Sequence, residues 1–148
     1  MSLLANSESK RQELFLKHLV NSLHERAVFA LDEKGMITTW SKGSQNLLGY
    51  DEEEVIGKHF SVLFEKNKQS LEIALNDLKN VVRETSTTIE RELIRKDESR
   101  FIASLKMDHL ADDAENTLGF AVLIHDLTER KLAQRNKIEL AKADETFN

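Results

Sequence analysis

The chain has no cysteine among its 148 residues, which excludes disulfides, thiolate metal sites and thiol nucleophiles together. Its five glycines, at 35, 43, 49, 57 and 119, stand apart, so no glycine-rich loop is available to cradle a phosphate. Five histidines, His18, His24, His59, His109 and His125, show no metal-ligand spacing such as His-Glu-x-x-His. The longest apolar runs, Ala27–Leu31 and Gly119–Ile124, stop far short of the about 20 residues that span a bilayer. The first residues, Met1-Ser2-Leu3-Leu4-Ala5, lack the basic start and extended apolar stretch of a secretory leader. The expectation is a cytoplasmic protein with no direct membrane insertion.

What is present is ordinary for one globular domain: 40% hydrophobic and 32% charged residues, enough chain to bury one core and too little for two. A net charge of −5 argues against general nucleic-acid binding, which needs a basic surface to displace counterions. Residues 129–142 carry five Lys/Arg against two Glu and read as a solvated helix face. The acidic runs, Asp51–Glu54 and Asp112-Asp113 with Glu115, read as turns and solvated faces. No catalytic constellation and no metal site stand out, so the chain itself is not expected to be an enzyme.

Ser9-Lys10-Arg11-Gln12 fits a capping box, and Leu16, Leu19, Val20 and Leu23 recur at helical spacing. They predict an amphipathic helix over residues 9–24, whose stripe needs the domain's own sheet or a second copy of itself. Ala27–Leu31 reads as a strand, Asp32-Glu33-Lys34-Gly35 as a turn with Gly35 free to take positive φ, and Met36–Trp40 as the returning strand. Lys42–Leu48 is a short helix ended by Gly49, and Asp51 with Glu54 can cap the next turn. Leu71, Ala74, Leu75, Leu78 and Val81 mark one face of a longer helix over 66–83. Three strands follow, Thr85–Lys96, Arg100–Leu110 and Leu118–Leu127, and alternation of Phe101, Ala103, Leu105 and Met107 buries one face of the middle one. Two strands, helices and three more strands predict an α+β fold. Beyond Thr128, Ala133, Asn136, Leu140, Ala143 and Phe147 form a short a/d seam.

Two blocks carry a family resemblance. The first runs from Gly35 through Trp40 and Gly49-Tyr50 to Glu54-Val55-Ile56-Gly57; the second is Gly119-Phe120-Ala121-Val122-Leu123-Ile124-His125-Asp126-Leu127-Thr128-Glu129-Arg130-Lys131. With Gly57-Lys58-His59-Phe60-Ser61 and Arg95-Lys96-Asp97-Glu98-Ser99-Arg100-Phe101, they resemble a PAS domain, the sensory input module of bacterial signalling proteins. Glu98 stands where that family's turn has glycine, so a turn of different shape is expected there. The resemblance implies a five-stranded antiparallel sheet with helices on one face over residues 25–128. An N-terminal capping or dimerisation helix (1–24) would precede it, and a C-terminal signalling helix (129–148) would follow. It also implies a homodimer, and a parent chain whose output domain is a two-component histidine kinase or a cyclic-dinucleotide enzyme. The chain would then be a fragment of that parent.

In such domains the inner sheet face and the middle helix enclose a cavity that holds haem, flavin, a small metabolite or nothing. On strand alternation the inner face here presents Phe29, Leu31, Ile37, Leu93, Phe101, Ala103, Leu105, Val122 and Ile124, with Phe60, Leu63, Phe64, Leu71 and Leu75 closing it. The alternative is that these residues pack as plain core, the commoner fate of regular apolar stripes. The resemblance also locates the flavin positions: Phe60 stands at the reactive cysteine, and Leu93, Ala103 and Ile124 replace the Asn and Gln that would bond the ring. Residues 65–83 contain no histidine for an axial haem bond, so neither haem nor flavin is expected and a metabolite would be of unknown identity. His59 reads as a helix cap; Trp40 reads as packing between strand and helix and is a further candidate for lining the cavity. Asp126 and Thr128 sit where the sheet hands over to the output helix, and so are placed to relay a signal. Leu16, Leu19 and Leu23, with Ala133 and Leu140, are the dimer-helix candidates.

Overall fold

A computed structural model describes residues 2–23 and 25–128, with side chains from residue 7 onward. The expected tail helix over 129–148, with Ala133 and Leu140, lies outside the described residues. Strands β1 (Arg26–Leu31), β2 (Ser86–Ile94), β3 (Arg100–Ala111) and β4 (Thr117–Asp126) form one antiparallel sheet in the order β1-β4-β3-β2. Helices α2 (Lys42–Leu48), α3 (Glu52–Val55), a 3-10 helix (Phe60–Leu63) and α4 (Lys68–Glu84) occupy the stretch between β1 and β2. α1 (Ser2–Asn21) precedes the sheet.

The α+β class and the order of its elements agree with the sequence reading. The fifth strand does not form. Met36–Trp40 makes only two isolated bridges, Leu31 to Ile37 and Met36 to His59. Its backbone divides its hydrogen bonds between two neighbours: Thr38 N donates to the Ala30 carbonyl at 2.9 Å, while Ile37 N donates to the Lys58 carbonyl and Gly57 N to the Ile37 carbonyl at 2.8 Å each. Ala30 N donates to the Thr39 hydroxyl at 2.9 Å, so a side chain replaces the next rung and the ladder stops.

Helix α1 starts seven residues earlier than its capping signal, which places Ser9 and Gln12 inside the helix. Leu16 (59% exposed) and Leu19 (49%) face solvent, and Leu23 (45%) lies beyond the helix end. The stripe therefore does not pack on the domain's own sheet.

Strand register sets the core. Ala27, Phe29 and Leu31 of β1 lie opposite Ile124, Val122 and Phe120 of β4, and Leu105 and Met107 of β3 lie opposite Ile124 and Val122 on its other side. All are buried. Burial of each large side chain contributes about 1.5–3 kcal/mol. Glu98 takes φ 71°, a left-handed conformation that favours glycine, and Arg95 N donates to the Ser99 carbonyl across its turn at 2.9 Å.

Thr85 closes α4 with φ 68° and ψ −35°, an unfavourable conformation for a β-branched residue. Its carbonyl accepts His109 N at 2.8 Å, which holds it there. Thr85→Gly keeps that carbonyl and removes the steric conflict. The expected result is a gain of about 1 kcal/mol, seen as a higher urea midpoint with an unchanged slope.

Candidate functional site

The inner face of the sheet presents the residues that alternation assigned to it. Phe29, Leu31, Ile37, Leu93, Phe101, Ala103, Leu105, Val122 and Ile124 are all buried, as are Phe60, Leu63 and Phe64 opposite them. Trp40 packs on Phe29 with ring centroids 5.0 Å apart, and its indole N–H donates to the Tyr50 carbonyl at 2.8 Å. Phe60 and Phe64 meet edge to face at 5.5 Å. Burial is common to a cavity wall and a filled core; these ring contacts occupy the space on the β1 and 3-10 helix side.

Leu71 and Leu75 are not part of this wall. They are 50% and 43% exposed, and the buried face of α4 is Ser70, Ala74, Asp77, Leu78 and Val81. Two polar residues turn the helix. The Ser70 hydroxyl bonds the Glu65 carbonyl, and Asn67 Oδ1 caps α4 by accepting Gln69 N and Ser70 N. The carboxylate of Asp77 is 4% exposed and meets Arg91 of β2, with Arg91 Nη2 donating at 2.6 Å and Nε at 3.1 Å. That bond to Asp77 raises the Arg91 guanidinium above its ordinary value. Sequence reading missed both partners, since 14 residues separate them and only the folded register brings them together.

The second cluster lies at the exit of β4. Asp126 accepts from Arg95 Nη2 at 2.7 Å and from Thr128 N at 2.8 Å. Arg95 also donates from Nε to the Leu47 carbonyl near the end of α2 at 3.0 Å, and its guanidinium sits 4.2 Å over the Phe101 ring. Leu127 N donates to the Ile102 carbonyl at 2.8 Å. Asp126 and Thr128 thus sit together at the joint where sequence reading placed them; Arg95 is the hub it did not single out.

His59 caps the 3-10 helix, its Nδ1 accepting Ser61 N at 3.2 Å. Its Nε2 is buried without a hydrogen-bond partner. Burial holds the ring below the ordinary histidine pKa, against the Lys34 carbonyl and Asp32 carboxylate, which favour its charged form. Among the described residues no cluster of three or more His, Cys, Asp or Glu is arranged to hold a metal ion, and no helix is long and apolar enough to cross a membrane.

The two members of the clamp between α4 and β2 differ in exposure, and this sets the outcome of removing each. Arg91 is 38% exposed, so after Asp77→Leu its guanidinium returns to water and the loss is about 1 kcal/mol. Arg91→Met leaves Asp77 buried without its partner and costs about 3 kcal/mol. The double variant recovers most of that loss, and urea unfolding of the four proteins measures the cycle.

A family model described as a PAS domain matches residues 25–129. Two-component system protein A of Emericella nidulans is 36% identical over 118 residues, which cover 80% of this chain and 17% of that protein. The PAS domain of a Colwellia psychrerythraea protein shares the fold with a TM-score of 0.67 at 22% identity, over 74% of this chain and 92% of that one. An RNA-binding light-oxygen-voltage receptor does so with a TM-score of 0.71 at 16% identity, over 90% of this chain and 38% of that one. With the family match spanning most of the sequence and the fold in agreement, this chain belongs to the PAS domain family.

Proposed function

We propose that this PAS sensory domain registers an input at its inner sheet face and passes it through the Asp126 joint to an output domain of the same parent chain. The observation that carries the reading is the position of Asp126. One carboxylate binds both Arg95 and the backbone of Thr128 at the point where the central strand ends. A shift of β4 against Arg95 changes the direction in which the chain leaves the sheet. A ligand drives that shift by binding one arrangement more tightly than the other. The relationship to Two-component system protein A supports a place in two-component signalling. A histidine kinase, or a cyclic-dinucleotide enzyme, is the output we assign, in a cytoplasmic homodimer that covers the exposed apolar residues of α1.

Haem and flavin are not part of this reading. Phe60, Leu93, Ala103 and Ile124, the positions a flavin's ring would meet, are fully buried and carry no polar side-chain atom. A flavin edge placed there would lose about 1–3 kcal/mol for each unmatched polar group. α4 has no histidine to bind haem iron. The ligand class left by this wall is a small, largely apolar metabolite. A second reading, a ligand-free interaction and dimerisation module, is favoured by the aromatic contacts of Phe29, Trp40, Phe60 and Phe64.

Native mass and absorbance of the purified chain separate the two, with colourless protein the expectation in both. Extra mass identifies a metabolite sensor, bare mass the ligand-free module, and a haem or flavin band overturns the pocket argument. Arg95→Ala tests the relay: faster hydrogen exchange at Leu127 and Thr128, with β1 and β3 protection kept, is expected. Unchanged exchange at those amides removes Arg95 from the path.

A further inference from the structure

We propose that His59 is a proton-binding site whose occupation opens the seam between the Asp32–Ile37 turn and the 3-10 helix. The seam is held by few bonds. Phe60 N donates to the Gly35 carbonyl at 3.0 Å, Ile37 N to the Lys58 carbonyl and Gly57 N to the Ile37 carbonyl at 2.8 Å each, and Met36 bridges His59. The His59 ring stands inside it in one tautomer. Because Nδ1 accepts Ser61 N, the neutral ring carries its proton on Nε2. A second proton enters at Nδ1, where it meets the Ser61 N–H donor to donor, and the cap is lost.

The ring lies close against the turn: Gly35 has φ +87°, and a Cβ there would stand 2.7 Å from His59 Nε2. Loss of the Ser61 cap at this contact is the step that parts the seam. Nothing close by neutralises the new charge completely. From the turn, the Asp32 carboxylate and the Lys34 carbonyl favour the charged ring, but burial outweighs them; Asp32 Oδ1 also accepts Lys34 N and Met36 N at 2.9 Å each. The adjoining Lys58 ammonium acts on Glu54. The 3-10 helix presents the Phe60 ring at 5.2 Å, and α4 presents Leu78 over the same glycine. Among the described residues His59 takes part in no ion pair.

The sign follows from burial, which lowers the folded-state pKa of His59. The closed seam is fully stable above the unfolded histidine pKa of about 6.5 and loses stability as pH falls through the folded value. This proton site borders the inner-face wall at Ile37 and Phe60 but needs no ligand there, so either proposal holds without the other.

Hydrogen exchange of the Ser61 and Phe60 amides in the whole chain, corrected for intrinsic rates, tests it. Opening is expected to rise by up to about tenfold per pH unit below about pH 6.5, while amides of β4 such as Val122 stay protected. His59→Asn keeps an oxygen to accept Ser61 N and never charges, so its Ser61 exchange is expected to be flat with pH. The same pH dependence in both proteins overturns the proposal. If H59N fails to fold, the NMR titration of His59 in the parent protein decides. A midpoint below about 6.5 supports the proposal, and one at or above it overturns it.

Discussion

Everything in this domain is arranged around one strand. β4 is flanked by β1 on one side and β3 on the other, and its Phe120, Val122 and Ile124 are buried almost completely. Slipping its register by one residue would turn all three toward the opposite face, so the burial of these side chains fixes its position. Among the described residues the same strand is the last, and it ends at Asp126, so the proposed relay has a short route from the core to the exit.

Strand β2 supplies the second connection. Arg91 lies in β2 and Arg95 one residue beyond its end. The first grips Asp77 on α4; the second grips Asp126 at the end of β4 and the Leu47 carbonyl of α2. Helix and exit are thus tied to one rigid piece of backbone. Such a contiguous path is a physical basis for coupling, and its worth is measured by whether both ends shift a common equilibrium.

The sequence displayed most of this fold because burial follows period. Alternation in Phe101, Ala103, Leu105 and Met107 assigned the inner face of β3 correctly, and Asp126 was legible from its place between an apolar run and a charged segment. Most of the errors involve polar groups with partners that the local sequence does not reveal. The apolar stripe of α4 read from sequence takes in Leu71 and Leu75 with Ala74, Leu78 and Val81; the buried face keeps the last three and adds Ser70 and Asp77, whose partner Arg91 lies 14 residues away. Met36–Trp40 has a strand's composition, yet the hydroxyl of Thr39 takes a donor that a fifth strand would have used. Ser9 looks like a cap because local chemistry does not reveal that Ser2 already lies in the helix. Glu98 is the converse case: the turn's hydrogen bonds imposed a left-handed conformation on a residue that does not favour it.

The two arginine pairs differ in a way that assigns them different jobs. Asp77 is nearly inaccessible, so separating it from Arg91 strands a charge at a cost of about 3–5 kcal/mol. Arg95 and Asp126 are each about one quarter exposed, at 26% and 27%, and both rehydrate when they part, which brings the cost toward the about 0–1 kcal/mol of surface pairs. Coupling between sites typically amounts to about 1–3 kcal/mol. An input of that size cannot open the α4 clamp but can shift the exit pair. Under the proposed relay, the clamp is the part that stays closed, and the Asp126 joint is the part a modest binding energy would move.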